Sequence, residues 1–205
     1  MTFASKEVLS GVSTPPRAAL GEVRTGLLRL HNKTDDFFSA VIQRHLPRMA
    51  CAPGCASCCG RMPSVFPVEA WIIAELMREE PEALDHVVEA LLPHRNAQEV
   101  KPCVMLSAQG RCRIYDARPI ICRSHGAPIR VPGRTIQGFD VCPLNFSEPG
   151  QRALVAPEDI LDVERLNEIL AVVDNLFRQG YPGGEILPVR MPLAHGVLHF
   201  LDEDL

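Results

Sequence analysis

Eight cysteines are the residues of this sequence whose type and spacing could do chemistry. Four of them fall within nine positions of the stretch CAPGCASCCG, and the other four follow further along the chain. Thiolates are soft, charged donors that bind zinc and iron tightly. The two-residue spacer between Cys55 and Cys58 is typical of turns in which both sulfurs reach one ion. We therefore predict eight metal ligands: Cys51, Cys55, Cys58, Cys59, Cys103, Cys112, Cys122 and Cys142.

The adjacent pair Cys58 and Cys59 bears on the number of metal centres. Neighbouring side chains point to opposite faces of an extended chain and diverge by about 100° in a helix. We therefore expect the pair to serve two neighbouring centres, or to leave one thiol spare, with Cys59 as a candidate redox-sensing thiol. Eight thiols divide into two sets of four, the number that a closed zinc site or a cubane cluster needs. The sequence leaves open one centre or two, and which cysteines share a centre.

Five arginines lie within a few residues of a cysteine. Four thiolates around one zinc ion leave a site with about two negative charges. Nearby guanidinium groups could neutralise that charge and donate hydrogen bonds to sulfur. Simple solvated surface positions are the equally weighted alternative. The five are Arg61, Arg111, Arg113, Arg118 and Arg123.

The two cysteine-bearing stretches resemble the CxxCxxCC cysteine-cluster family of YkgJ-type zinc- or iron-chelating domains. CAPGCASCCGR matches its tight Cys-x-x-Cys-Cys end, and GRCRIYDARPIICRSHG matches its pattern of a Cys, an Ile-Tyr, an Arg-Pro and a Cys-Arg. The three-residue spacer between Cys51 and Cys55 departs from the family pattern. The resemblance covers about residues 50 to 145. It implies metal chelation, a small helical domain and a bacterial-type cytosolic protein.

The cysteine spacing does not separate zinc from an iron–sulfur cluster. All-thiolate coordination is common among structural zinc sites, and long irregular gaps suit loops held by an ion. Cys142-Pro143 is similar to the Cys-Pro end of ferredoxin motifs. We expect zinc, with a [4Fe-4S] cluster as the alternative. Some members of the family are described as iron–sulfur oxidoreductases or flagellin lysine methylases, so the alternative carries a redox or methyl-transfer role. Whether the chain is an enzyme is left open.

The elements that position these thiols are predicted to be mainly α-helical. Apolar periodicity predicts helical structure from Arg17 to about Leu46, split into two helices by the polar stretch HNKTDD. Pro67 and Pro81 each begin a helix between the two cysteine-bearing regions. Pro157 begins the clearest helix, which Gly180 ends. The predicted apolar face of that last helix consists of Leu166, Ile169, Leu170, Val173, Leu176 and Phe177.

The predicted fold class is a small helical domain with two metal-stapled, cysteine-rich loop regions. Residues 1–16 are expected to be a loose N-terminal arm, residues 17–180 a single metal-binding domain, and residues 181–205 a tail packed on it. Two short apolar runs in that tail, ILPVRM and GVLHFL, predict strands or packed coil.

Composition argues against several other classes of protein. A net charge of −4 and an aromatic content of 5% do not favour nucleic-acid binding. No apolar run reaches the roughly 18 residues of a membrane span. The first residues lack the apolar core of a signal peptide, so we expect a cytoplasmic location, where thiols stay reduced. A disulfide framework is the alternative use of the cysteines. The expected partner is a metal ion, without nucleic acid or membrane, and no protein partner is identified.

Three histidines are secondary candidates for metal binding. His125 follows Cys122 by three residues and could replace a thiolate, although a structural or surface role is favoured. His195 and His199 have the spacing of a zinc-protease pair, but the sequence HGVLH lacks the glutamate that serves as general base. We therefore predict that this pair is not catalytic.

Overall fold

The fold is mainly α, as predicted. The structure is a computed structural model that describes residues 17–52, 54–94, 102–131 and 138–202, so the predicted N-terminal arm lies outside the described residues. The described part contains six α-helices and two small two-stranded sheets, β1–β4 and β2–β3. In chain order the elements are α1 (Arg17–His45), β1 (Ser64–Val65), α2 (Pro67–Arg78), α3 (Pro81–Leu91), α4 (Ile120–Ser124), β2 (Ile129–Arg130), β3 (Leu161–Asp162), α5 (Val163–Gly180), β4 (Met191–Pro192) and α6 (Leu193–Asp202).

Helix α1 is one continuous helix, where two were predicted. The polar stretch HNKTDD does not interrupt it because His31 and Thr34 face the interior. The Thr34 hydroxyl donates to the carbonyl oxygen of Leu30 at 2.9 Å, which satisfies it within the helix. Burial, followed by the charges of Arg123 and Arg118, lowers the pKa of His31 to about 3, so its ring is neutral at pH 7. The predicted helix break was therefore wrong, because these positions are buried although their side chains are polar.

Helices α2 and α6 pack against each other at the centre of the main core. A Cβ at Gly196 would lie 2.7 Å from the Ala70 Cβ, so only glycine permits this close approach. The run GVLHFL is therefore part of a helix rather than strand or coil, because its apolar residues face α2 and the core. Met191, the last residue of the run ILPVRM, and the following Pro192 pair antiparallel with β1.

Helix α5 begins at Val163, later than predicted from Pro157. Pro157 instead begins a short 3₁₀ turn, and the carboxylate of Asp162 caps the helix by accepting the Arg165 N–H at 3.0 Å. Helix α5 ends at Gly180, as predicted.

The apolar face predicted for α5 is only partly buried. Leu166, Leu170 and Phe177 belong to the main core, but Ile169 and Leu176 are 43% and 53% exposed. The face of α5 that packs on the core is therefore rotated about the helix axis from the predicted face, and it includes buried Asp174. The Asp174 carboxylate accepts the Val68 N–H at 3.0 Å and the Arg178 Nε–H at 2.6 Å. A buried carboxylate with two donors is tolerated in a core, and this pattern is not visible in apolar periodicity.

A second, smaller core lies beside the C-terminal end of α1 and consists of Phe139, Val141 and Phe146. Buried Asp159 joins this region to α1, since it accepts hydrogen bonds from His45 Nε2 at 2.8 Å and from Arg44 Nε at 2.7 Å. Burial alone would raise the pKa of Asp159, but these hydrogen bonds outweigh it and lower that pKa. The carboxylate is therefore ionised at neutral pH.

Candidate metal centre

The first four cysteines lie on a loop closed by tight turns. The Cys55 N–H donates to the carbonyl of Ala52 at 3.0 Å, and the Cys59 N–H donates to that of Ala56 at 2.9 Å. Residues Ser57–Gly60 form a 3₁₀ turn. This loop is the first of the two cysteine-rich loop regions that the sequence predicted.

The sulfur atoms of Cys58 and Cys59 lie 4.0 Å apart. The expected divergence of these neighbouring thiols is therefore not observed, because the side chains turn toward each other across the 3₁₀ turn. Two sulfurs bound to one tetrahedral zinc ion are about 3.8 Å apart, as follows from a Zn–S distance of about 2.3 Å. The two sulfurs are thus close enough to bind the same ion, or to bind one ion each in two neighbouring centres.

Cys103 and Cys112 are tied to the first loop by backbone hydrogen bonds. The Cys103 N–H donates to the carbonyl of Cys59 at 2.9 Å. An antiparallel bridge between Leu106 and Cys112 folds the following segment back on itself. Cys103 is buried in the main core, and Cys59 and Cys112 pack against that core. Backbone pairing therefore joins the first cysteine-bearing loop to the segment that carries Cys103 and Cys112.

Glu69 holds the short helix that carries Cys122. Its two carboxylate oxygens accept the Ile120 N–H at 2.8 Å and the Phe66 N–H at 3.0 Å. Burial raises the pKa of Glu69, and these hydrogen bonds oppose the rise. Helix α4 is thereby fixed to the first turn of α2. Sequence analysis missed this role, although the position of Glu69 in the first turn of a helix beginning at Pro67 was a usable signal.

Arg123 fastens the segment between Cys112 and Cys122 to α1. Its side chain is 4% exposed and forms an ion pair with Asp35. The guanidinium also donates to the carbonyl oxygens of Asp116 and Arg118, the latter at 2.6 Å. All of these acceptors are oxygen atoms, and none is a cysteine sulfur. Arg123 therefore supports the site by holding the backbone of this segment.

The other arginines near the cysteines have different surroundings. The guanidinium of Arg118 lies 3.7 Å from the ring centroid of Tyr115. Burial raises the pKa of Cys112, and the positive charge of Arg118 opposes that rise, as a neutralising role requires. Three of the arginines have exposed side chains, as expected for solvated surface positions: Arg61, Arg111 and Arg113.

Asn145 connects Cys51 with Cys142. Its backbone N–H donates to the carbonyl of Cys142 at 2.9 Å, and its side-chain Nδ2 donates to the Cys51 sulfur at 3.3 Å. The same amide group donates to the Gly126 carbonyl at 2.8 Å. Asn145 is 1% exposed, so this pairing is made inside the protein. Sequence analysis did not single it out, although an Asn two residues after the proline of a Cys-Pro is a recognisable turn signal.

Gly126 makes room for the Cys51 sulfur. It adopts a φ of +101°, and a Cβ there would lie 2.7 Å from the sulfur and 3.1 Å from Phe38 Cζ. We expect Gly126→Ala to lower the free energy of unfolding by about 3 kcal/mol, because backbone strain and overpacking each cost about 1–3 kcal/mol. Urea denaturation measures this change.

Gly150→Ala is the matched control for that prediction. Gly150 has a φ of +80°, and no heavy atom lies within 4 Å of its Cβ position. It therefore tests backbone strain alone, with an expected cost of about 1 kcal/mol. If both substitutions lowered the free energy of unfolding equally, the close approach of Gly126 to the Cys51 sulfur would not contribute to the effect.

Burial raises the pKa of most of the clustered thiols. For Cys58 burial, followed by the charge of Cys59, raises the pKa to about 11. These thiols are therefore protonated at neutral pH without metal, and metal binding must release protons. Burial is likewise the largest cause of the raised pKa of Cys51, Cys59, Cys103, Cys112 and Cys122.

The donor chemistry fits zinc or iron, although the side chains do not yet converge. All eight cysteines are free thiols in this structure. Within the described ranges, no group of three or more His, Cys, Asp or Glu side chains is arranged to hold an ion. Side-chain rotation in the loops is therefore required before four sulfurs can surround one metal.

In the described residues the histidine candidates belong to no group arranged to hold an ion, although His125 lines the same cleft as Cys142. His125 lines this cleft together with Asp140, and its pKa is lowered by burial, which the charge of Asp140 opposes. His195 and His199 lie on α6, where the His199 ring packs edge-on against Phe200 with centroids 4.9 Å apart.

Fold and site together define a helical, cysteine-rich domain. Residues 50–141 match the family CxxCxxCC, described as "Putative zinc- or iron-chelating domain", which confirms the resemblance. The matched segment contains all the cysteines except Cys142, which follows it directly. The match supports metal binding by the cysteines.

Comparison with curated proteins and with solved structures gave no significant match. In the part of the chain that the structure describes, no helix combines the length and apolarity needed to cross a bilayer.

Proposed function

We propose that the protein is a cytoplasmic zinc-binding protein whose eight cysteines form two groups in contact. The observation that carries this proposal is the backbone pairing of Cys103 with Cys59, which joins the two cysteine-bearing regions. The core-side thiol group consists of Cys59, Cys103, Cys112 and Cys122. The solvent-side thiol group consists of Cys51, Cys55, Cys58 and Cys142.

Mutual electrostatic effects support this division. The pKa of Cys122 is raised by burial and then by the charges of Cys103, Cys112, Cys58 and Cys59, so Cys58 also lies near the core-side thiol group. The pKa of Cys51 is raised by burial, and the charges of Cys142 and Cys55 add to the rise. Cys58 lies between the two groups, because its charge acts on both Cys51 and Cys122 and its sulfur is 4.0 Å from that of Cys59. This distance allows two centres to be neighbours.

Bound zinc would neutralise the thiolates and cross-link segments that the backbone alone joins weakly. The residues of this chain supply the rest of the site. Glu69 and Arg123 hold the segment with Cys112 and Cys122, and Asn145 donates to the Cys51 sulfur. Such a hydrogen bond stabilises the thiolate form, which is the form that binds metal.

An iron–sulfur protein with a redox or methyl-transfer role is the second candidate. The family description names iron beside zinc, and Cys142 is followed by Pro143, as in ferredoxin motifs. Both observations concern the metal, and neither identifies a substrate.

Elemental analysis of protein purified without oxygen tests the proposal. We expect colourless protein with about two zinc ions per chain, because a closed thiolate site uses four ligands. Brown protein that contains iron and sulfide would favour the second candidate. Protein without any bound metal would overturn both.

A further inference from the structure

Both hydrophobic cores contribute side chains to the wall of one cleft of about 1490 Å³. Ligand sites in proteins are concave and mostly apolar, and they often form where two packed units meet. This cleft has that position, and Cys142 is the one cysteine among the described residues that lines it. The wall residues from the two cores include Ile120, Leu166, Leu170, Phe139, Val141 and Phe146.

Helix α5 forms one long apolar side of the cleft. Val163, Leu166 and Leu170 line it at the spacing of one helical face, over a length of about 10 Å. Ile121 also lines the cleft, and 47% of this large apolar residue is exposed. An apolar ligand chain of similar length would remove this surface from water, which is favourable.

Arg190 places a positive charge at the same cleft. Its guanidinium lies 4.1 Å from the ring centroid of Phe66, and its two Nη groups donate to the Ser64 carbonyl and to Asn167 Oδ1, each at 3.2 Å. A guanidinium has five N–H donors, so three remain available. Among the residues that the structure describes, no carboxylate lies within ion-pair distance of Arg190. The arginine is thus held in place with donors free for an anion.

The other charged groups of the cleft are engaged differently. Arg152 lies 4.0 Å from the carboxylate of Asp140 and stacks on an aromatic ring of the wall. Both carboxylate oxygens of buried Glu69 accept backbone N–H groups, and the charge of Arg190 opposes the rise that burial causes in the pKa of Glu69. Glu148 is exposed to solvent. An anionic ligand can therefore reach Arg190 without displacing a carboxylate from it.

We propose that this cleft binds a carboxylate with an unbranched apolar chain, as in a fatty acid. The carboxylate pairs with the guanidinium of Arg190, whose planar fork of donors matches its geometry, and the chain lies along α5. A peptide fits less well, because a mostly apolar wall would leave many of its backbone N–H and C=O groups unpaired. This site goes beyond the proposed function and does not depend on bound metal.

Calorimetric titration of the full-length protein with decanoate and with decanol tests the proposal. The two probes share one chain, and only decanoate carries a negative charge. We expect decanoate to bind at one site per chain, about tenfold more tightly than decanol, because charge-assisted hydrogen bonds are the stronger ones. Equal affinities, or no binding of decanoate at concentrations below those at which it forms micelles, would overturn the proposal.

Arg190→Met tests the partner of the carboxylate. We expect about tenfold weaker binding of decanoate and a change of less than about twofold for decanol, since methionine keeps the apolar stem but has no donor. A merely structural effect of the substitution would weaken both probes equally and would contradict the role of Arg190. The matched control is Arg165→Met, which removes an exposed arginine of α5 outside the cleft wall and should change neither affinity.

A second variant tests the position of the chain even if Arg190→Met does not fold. Ala153 is exposed and lines the cleft, so Ala153→Trp should obstruct it and weaken both probes at least about fivefold. Ala171→Trp, at an exposed position of α5 outside the cleft wall, is its control. Unchanged binding of decanoate to Ala153→Trp would place the ligand elsewhere and overturn the proposal.

Discussion

Replacing Cys112 with serine is expected to remove one metal ion per chain and to lower the free energy of unfolding of the loaded protein by about 5 kcal/mol. A structural zinc site contributes about 10–16 kcal/mol of binding free energy, and three thiolates retain only part of it. In the proposed function Cys112 belongs to the core-side thiol group, and its ion would couple the second cysteine region to the main core. Elemental analysis and urea denaturation measure the two effects.

Chelator-treated protein is the control for the Cys112→Ser prediction. Without metal, serine preserves the size of the side chain and the backbone bridge to Leu106. The variant and the wild-type protein should then differ by no more than about 1 kcal/mol. If Cys112→Ser remained fully loaded, or if its destabilisation persisted undiminished in chelator, Cys112 would not be a metal ligand.

Arg123→Met is expected to lower the free energy of unfolding by about 3 kcal/mol, since removal of one partner from a buried ion pair costs about 3–5 kcal/mol. The lower end applies because Asp35 is 37% exposed. The carbonyl oxygens of Asp116 and Arg118 also lose their donor. Because this segment leads to Cys122, metal affinity should fall about tenfold, as for other residues that support metal ligands. Urea denaturation and competition with a zinc chelator measure these effects.

Two further variants separate the causes in Arg123→Met. Arg113→Met removes an exposed arginine next to Cys112, and its cost should stay within about 0.5 kcal/mol. Arg123→Lys keeps a positive charge for Asp35 but lacks the planar fork of donors that reaches both carbonyl groups, so an intermediate cost is expected. A cost of Arg123→Met no larger than that of Arg113→Met would contradict the role assigned to the buried guanidinium.

Several elements could be predicted from sequence because their signals are local. Pro67 and Pro81 begin helices, and Gly180 ends one, because proline and glycine restrict or free the backbone where they occur. The HNKTDD stretch and the run GVLHFL were misjudged for the opposite reason. Their side chains are placed by distant neighbours, and a short polar or apolar run does not encode those neighbours.

The supporting residues of the site could not be predicted in the same way. Asn145 acts on Cys51 across 94 residues, and Glu69 acts on Ile120 across 51. Their chemistry is ordinary for buried polar groups, since each fills its hydrogen-bonding capacity where the fold places a partner. Only long-range packing decides which partner that is.

The sequence by itself determined the chemistry of this protein: eight thiols in two segments, a helical scaffold and the resemblance to a metal-chelating domain. Residue type and short spacing are enough for these conclusions, because soft sulfur donors have few other uses at such density. The tertiary structure alone decided how the thiols are arranged. It paired Cys103 with Cys59, joined Cys51 to Cys142 through Asn145, and turned the sulfurs of Cys58 and Cys59 to within 4.0 Å. These placements depend on backbone hydrogen bonds and packing between segments far apart in the chain, which no local pattern records.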